Sequence, residues 1–312
     1  MSQVQRLRAP TRLDMALMLM TALIWASAFV AIRVAVPDTG PVWLATIRVG
    51  LGFAVLLPYA IWRGMVWPSS QHQWVLIGGM AVLNIVIPFS LIAWAGKTLD
   101  AGVLALLMGT GPFLALIGSH VMTDDDRLTP RKLVSVGLGF AGILIVVGPS
   151  AVAGLGSGSL EAKLAALGAS LCYVTAGLLI RKIDLPPVRL ACLALGLGTA
   201  ALVPIALMTD GAPPSGLPPQ TMAALVYLGV FPTGLAYIMR FHLIRAIGYT
   251  RFSLSINLVP VFGVALGVLL LGEPLSLSLI AALALVLAGL FVAGGGKPRP
   301  ASQVVSRADE TP

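Results

Sequence analysis

Arg48 sits inside PVWLATIRVGLGFAVLLP, the apolar run from Pro41 to Pro58. A guanidinium in such a run costs about 2.5 to 3.5 kcal/mol on membrane-insertion scales, so its presence needs a reason. Two readings are open. Either it snorkels to the nearer surface or bonds a freed helix carbonyl, or it anchors a carboxylate, which a guanidinium grips with two parallel hydrogen bonds. Asn84 and Asn257 are a second signal. An amide facing lipid would leave its donors and acceptors unmet, so both should point inward, as solute contacts or as bonds between helices. Trp25, Ser27, Thr110, Tyr173 and Thr233 complete the polar and aromatic positions near the middle of apolar runs. The aromatics, with Phe89, Trp94 and Tyr237, suit stacking on a solute or plain packing. Pro88, Pro112, Pro232 and Pro260 interrupt the same runs. Each removes one helical N–H and frees a carbonyl, which is tolerated only against protein or a cavity. They read as packing kinks or as the wall of a binding site.

The acids are informative by position. All twelve Asp and Glu residues fall in loops, tails or span ends, with Asp14, Asp100 and Glu161 closest to the apolar runs. No carboxylate stands at mid-membrane to alternate between a proton and a cationic solute. Were the chain to move solutes, cations would be poor candidates, and movement would be uncoupled or driven by the solute's own gradient. His72, His120, His242, Cys172 and Cys192 do not gather at metal-ligand spacing, and no phosphate- or dinucleotide-binding motif occurs, so neither metal nor cofactor is expected. Asp124–Lys132 reads as a solvated turn. Glu273-Pro274 reads as the start of a helix, with the acid at that helix's positive end.

The elements that must position these residues follow from composition. Of 312 residues, 58% are hydrophobic and 10% charged. A soluble domain carries about 25% charged residues to present a wetted surface. This composition describes an all-α integral membrane protein whose partner is the lipid bilayer. The net charge of +8 comes from cations between apolar runs, where they set orientation and do not indicate nucleic acid. The two cysteines lie within apolar runs, which argues against a disulfide framework. Nothing in the sequence fixes the oligomeric state.

A hydrocarbon core of about 30 Å needs roughly 20 apolar helical residues. That criterion predicts ten transmembrane helices, at about 14–35, 42–62, 74–96, 101–122, 132–149, 160–180, 189–209, 221–240, 250–271 and 275–294. With the N-terminus cytoplasmic, the inner segments carry Arg6, Arg8, Arg12, Arg63, Arg127, Arg131, Lys132, Arg181, Lys182, Arg189, Arg240, Arg245, Arg251, Lys297, Arg299 and Arg307. The outer segments carry Arg33, Lys97 and Lys163. This asymmetry predicts a cell inner membrane protein with both termini in the cytoplasm.

The run around Arg48 returns as PVRLACLALGLGTAALVP, Pro187 to Pro204, with ten of 18 positions identical. Chance in so biased an alphabet would give roughly three or four. Trp25 matches Tyr173, Ser27 matches Thr175, Pro88 matches Pro232 and Pro112 matches Pro260, whereas Arg48 faces Ala194. The chain is one unit written twice: a cytoplasmic N-terminal tail at 1–13, a first five-helix repeat at 14–149, a second at 160–294, and a disordered cytoplasmic tail at 295–312. Five is odd, so the second repeat enters the membrane in the opposite sense. That is the inverted repeat of secondary transporters, whose solute sites lie at mid-membrane where the repeats meet.

WASAFVAIR in the first span, Arg48 in the second, Pro112 and Pro260 in the fourth and ninth, and LGEP at 271–274 before a last helix ending AGLFVAGG carry a resemblance. Together they resemble the drug/metabolite transporter superfamily, in its ten-helix branch built from two EamA domains. The resemblance covers nearly all of 14–294. It implies a secondary transporter without enzymatic activity, exporting small polar metabolites by alternating access, with amino acids or their derivatives first. The first repeat departs from the family pattern, with Asp124-Asp125-Asp126 where a Glu is usual. The alternatives are an importer or exchanger of another metabolite, and an integral-membrane enzyme acting on lipid-linked substrates.

Overall fold

The computed structural model describes residues 9–122, 129–153, 159–180, 182–183 and 185–294. The Asp124–Asp126 run, Arg181, the first eight residues and the 295–312 tail lie outside the described residues. Among the described residues the chain is entirely helical. The first half runs α1 (Arg12–Thr39), α2 (Pro41–Trp62), α3 (Gln71–Ala81), a π-helical segment (Val82–Val86), α4 (Ile87–Ala95), α5 (Ala101–Met108), α6 (Gly111–Met122) and α7 (Pro130–Ala153). The second half runs α8 (Ser159–Ile180), α9 (Pro187–Thr209), α10 (Pro219–Leu228), a π-helical segment (Gly229–Leu235), α11 (Ala236–Ile247), α12 (Tyr249–Ile256), α13 (Val259–Leu271) and α14 (Leu277–Gly294).

Among the described residues, six helices are long and apolar enough to cross a membrane: Arg12–Thr39, Pro41–Trp62, Gln71–Ala95, Pro130–Gly148, Pro187–Thr209 and Pro219–Ile247. Shorter apolar helices cover Ala101–Ile117, Val259–Leu271 and Leu277–Val292. The chain is a multi-pass membrane protein.

Two features depart from uniform spans. The segments expected as single helices at 101–122 and 250–271 are each broken, at Gly109-Thr110 and at Asn257-Leu258. Pro112 and Pro260 stand just past the breaks, and each lacks the N–H that would have continued the preceding helix. Thr110 Oγ1 instead donates to the Leu107 carbonyl at 2.6 Å. The other departure is the pair of π-helical segments. The first lies just before Pro88 and the second contains Pro232, so each proline's missing N–H coincides with a turn widened by one residue. Ser90 Oγ donates to the Val86 carbonyl at 2.8 Å, and Thr233 Oγ1 donates to the Leu228 carbonyl at 2.8 Å, five residues back. Both features occur once in each half.

Close approach joins the halves. α2 packs against α9 and against the second π segment, α1 against α10 and α13, and α5 against α13. A Cβ on Gly52 would stand 2.5 Å from Thr233 Cγ2, so only glycine admits Thr233 this near to α2. The two helix breaks also meet. A Cβ on Gly109 would stand 2.3 Å from Pro260 Cγ, part of a ring that cannot rotate aside. Gly109→Ala is therefore expected to lower stability by about 1–3 kcal/mol, the usual range for overpacking, measured as thermal unfolding in detergent.

Carboxylates lock one end of the bundle. Asp210 Oδ2 accepts from the Val42 and Trp43 amides at 2.7 and 3.2 Å, and Trp43 Nε1 donates to the Gly211 carbonyl at 3.0 Å. The expectation for Glu273 is corrected here. α14 starts only at Leu277, and the Glu273 carboxylate caps a different helix. It accepts from the Ala101 amide at 2.6 Å and the Gly102 amide at 3.0 Å, at the start of α5. At the same end Thr221 donates to Asp38, and Arg33 Nη1 donates to the Gly96 and Lys97 carbonyls at 3.2 and 2.9 Å.

Candidate functional site

Arg48 lies two turns into α2 and is 8% exposed. Its Nε donates to Thr233 Oγ1 at 3.0 Å, and its guanidinium carbon stands 4.2 Å from the centroid of the Phe89 ring. Thr233 is available as an acceptor because the π segment has turned its hydroxyl proton onto the Leu228 carbonyl. Tyr173 and Tyr237 lie close enough to interact with the guanidinium electrostatically. Arg48 thus meets α4 and α8 as well as the second π segment and α11.

The terminal nitrogens are the chemically available part. Neither Nη of Arg48 makes a hydrogen bond among the described residues, and neither is sealed off by packing. No described acid pairs with it. The carboxylates of Asp14, Asp38, Asp210 and Glu273 are engaged by Thr11, by Thr221, by the α2 amides and by the α5 amides, and Asp100 stands 4.0 Å from Arg33. A guanidinium held by Nε and an aromatic face, with both Nη groups unused, presents the fork that fits a carboxylate. The surrounding apolar and aromatic walls strengthen such a contact by lowering the local dielectric.

The other candidates divide. Trp25 is drawn to the same place from α1: its Nε1 donates to the Pro232 carbonyl at 3.2 Å, and its ring meets Phe252 edge-on at 6.0 Å. Ser27 donates to the Ile24 carbonyl at 2.9 Å and bonds the Tyr227 hydroxyl at 2.5 Å, while Tyr227 stacks on Phe231 at 5.2 Å. Trp25, Ser27, Arg48, Tyr173 and Thr233 therefore join elements of both halves. Asn84, on the first π segment, and Asn257, at the second break, are half-buried, and their side-chain amides make no hydrogen bond among the described residues. Thr110 is fully buried and its proton is committed to Leu107, so it serves the helix break. Pro88 and Pro232 accompany the π segments, Pro112 and Pro260 the breaks. Trp94 is 42% exposed and stands apart from the cluster. Tyr227 is the contact that sequence reasoning missed. Its ring is one of many in apolar runs, and only its pairing with Ser27 marks it.

The chain belongs to the EamA-like transporter family, whose sequence profile it matches twice, over residues 13–148 and 161–295. It is similar to an uncharacterized transporter of Archaeoglobus fulgidus, 28% identical over 250 residues that cover 79% of this chain and 85% of the relative. It is also similar to a probable terminal-alkyne amino-acid exporter of Streptantibioticus cattleyicolor, 26% identical over 286 residues covering 88% and 91%. A solved crystal structure shares the fold, with a TM-score of 0.64, 21% identity, and coverage of 91% of this chain and 97% of that one. The protein is a membrane transporter of a small-molecule solute.

Proposed function

We propose that the protein exports small carboxylate-bearing metabolites, amino acids or their derivatives first, across the cell inner membrane. In this reading ten spans form two five-helix modules of opposite orientation, and alternating access follows as they exchange shapes. The observation that carries it is Arg48: a guanidinium fixed by Thr233 and Phe89, unpaired by any described acid, with both Nη groups available. Trp25, Ser27, Tyr173, Thr233, Asn84 and Asn257 are the proposed neighbours of the bound solute. The two half-buried amides suit its amino or side-chain groups. The similar alkyne amino-acid exporter supports this substrate class. With no described carboxylate near Arg48 to carry a proton, export runs down the solute's own gradient.

Overexpression is expected to protect cells against toxic amino acids and analogues in proportion to the protein level. Unchanged sensitivity across a panel would overturn the export reading. The orientation has its own test. Cysteines at Ser69 and Ser215 should be labelled from opposite sides of the membrane, the first from the cytoplasm and the second from outside. Labelling from one side contradicts the opposed modules.

A further inference from the structure

Arg240, on α11, has a buried Nε with no hydrogen-bond partner among the described residues. Buried donors are almost always paired, because an unmet one costs free energy, more so when charged. No described carboxylate pairs with Arg240 either. Its place among cytoplasmic cations explains neither fact, since a purely topogenic arginine belongs in water or among headgroups.

The helix geometry shows where the side chain starts from. Ala236, Met239, Leu243 and Ile247 on α11 pack with residues of α1 and α12. Tyr237 and Phe241 pack against the cluster built from α2, α3 and α9. At 3.6 residues per turn Arg240 projects between these two buried faces. It therefore leaves the helix towards the interior and not towards lipid, which accords with its intermediate burial. Thr233, the residue that holds Arg48, lies two turns earlier, about 10 Å along the axis at 1.5 Å per residue. Two guanidiniums without acid partners thus stand at successive depths along one interior line. The two guanidiniums are reached from positions two turns apart on one helix line, so a carboxylate would pass from one to the other.

We propose that Arg240 is a second carboxylate-binding position, which takes the solute's anionic end from the cytoplasm before Arg48 receives it. This rests on the carboxylate reading of Arg48 and on the proposed orientation. Two sites of moderate strength suit transport better than one tight site, because binding must favour loading and still permit release.

The position is testable without knowing the solute. The full-length protein in proteoliposomes is treated with the arginine reagent phenylglyoxal and read by peptide mass spectrometry, with acetate as the carboxylate probe and acetamide as its uncharged isostere. Acetate is expected to slow modification of Arg240 about fivefold, as a guanidinium–carboxylate contact should, in wild type and in Arg48→Gln alike. Acetamide should have no effect. The exposed Arg12 and Arg63 serve as controls for ionic strength. In flux assays Arg240→Gln should raise KM for loading from the cytoplasmic face about tenfold, the effect of roughly 1.4 kcal/mol. It should leave kcat for that direction unchanged. Because passive movement obliges kcat/KM to change equally in both directions, loading from the outer face should lose the same factor in kcat/KM, and Arg240→Lys should restore much of the loss. Modification of Arg240 that ignores acetate overturns the proposal. So does a cytoplasmic KM untouched by Arg240→Gln while Arg48→Gln stops flux. Acetate protection of Arg240 in a protein that moves no amino acid would refute the amino-acid reading and leave the anion position standing.

Discussion

Arg48→Gln is expected to reduce kcat/KM for carboxylate-bearing solutes by about 100-fold or more, equivalent to roughly 2.7 kcal/mol of lost stabilisation. The protein should still reach the membrane and unfold at nearly the wild-type temperature. The reasoning separates what the guanidinium does for the fold from what it offers a ligand. For the fold it supplies one hydrogen bond, Nε to Thr233 Oγ1 at 3.0 Å, and a face against Phe89. A glutamine amide can reach for the same hydroxyl, and removing an acid-free buried charge relieves a desolvation cost. For a ligand it offers two Nη groups that no described residue uses, and glutamine cannot replace that cationic fork. Arg48→Lys should fall between the two, keeping the charge and losing the bidentate geometry. Radiotracer flux in proteoliposomes, with thermal unfolding in parallel, checks both halves. Lost expression with Arg48→Gln would show that the guanidinium is a structural element.

The second large effect concerns Glu273. Glu273→Ala is expected to destabilise the protein by about 2–4 kcal/mol, because two amides lose a charge-assisted acceptor at a helix start. The amides are those of Ala101 and Gly102 on α5, in the first half, whereas Glu273 follows α13, in the second. The carboxylate therefore ties the halves together at the end that also holds the Asp210 cap on α2. Glu273→Gln keeps a carbonyl acceptor for one amide and should lose about half as much. A side chain on Gly267 should mimic the alanine variant, since a Cβ there would stand 2.1 Å from Glu273 Oε2. Unfolding midpoints across Glu273→Ala, Glu273→Gln and Gly267→Ala check the order. Equal stability of all three with wild type would show the clamp to be energetically idle.

Much of the site was legible because insertion in lipid makes every polar residue conspicuous. Arg48 stood out as a charge in an apolar run, and Thr233 as one of the polar residues near the middle of such runs. The structure brings the two together through the close approach that Gly52 allows. The family was legible too, in WASAFVAIR, the LGEP turn and the paired prolines, and the family's profile matches the chain over two units in tandem.

What escaped the sequence depended on contacts between distant segments. The prolines announced irregular helices but not their form. Whether a freed carbonyl yields a kink, a π segment or a break depends on which neighbour can satisfy it; here Thr233 Oγ1 takes the Leu228 carbonyl, and Trp25 reaches across to the Pro232 carbonyl. Glu273 precedes a proline, a pattern that ordinarily opens a helix, yet its partners lie about 170 residues earlier, at Ala101 and Gly102. No local pattern reports so remote a cap. Arg240 was counted with the cytoplasmic cations because charge counting registers position along the chain and not the direction in which a side chain leaves its helix.

The central claim is that a solute carboxylate is held by Arg48 during transport. Its most direct test is counterflow in proteoliposomes of the standard amino acids, each set against its own amide, which differs only in lacking the charge. At least one amino acid should exchange readily in wild type while its amide does not, and Arg48→Gln should abolish that preference. Equal exchange of acid and amide, or a preference that survives in Arg48→Gln, would contradict it.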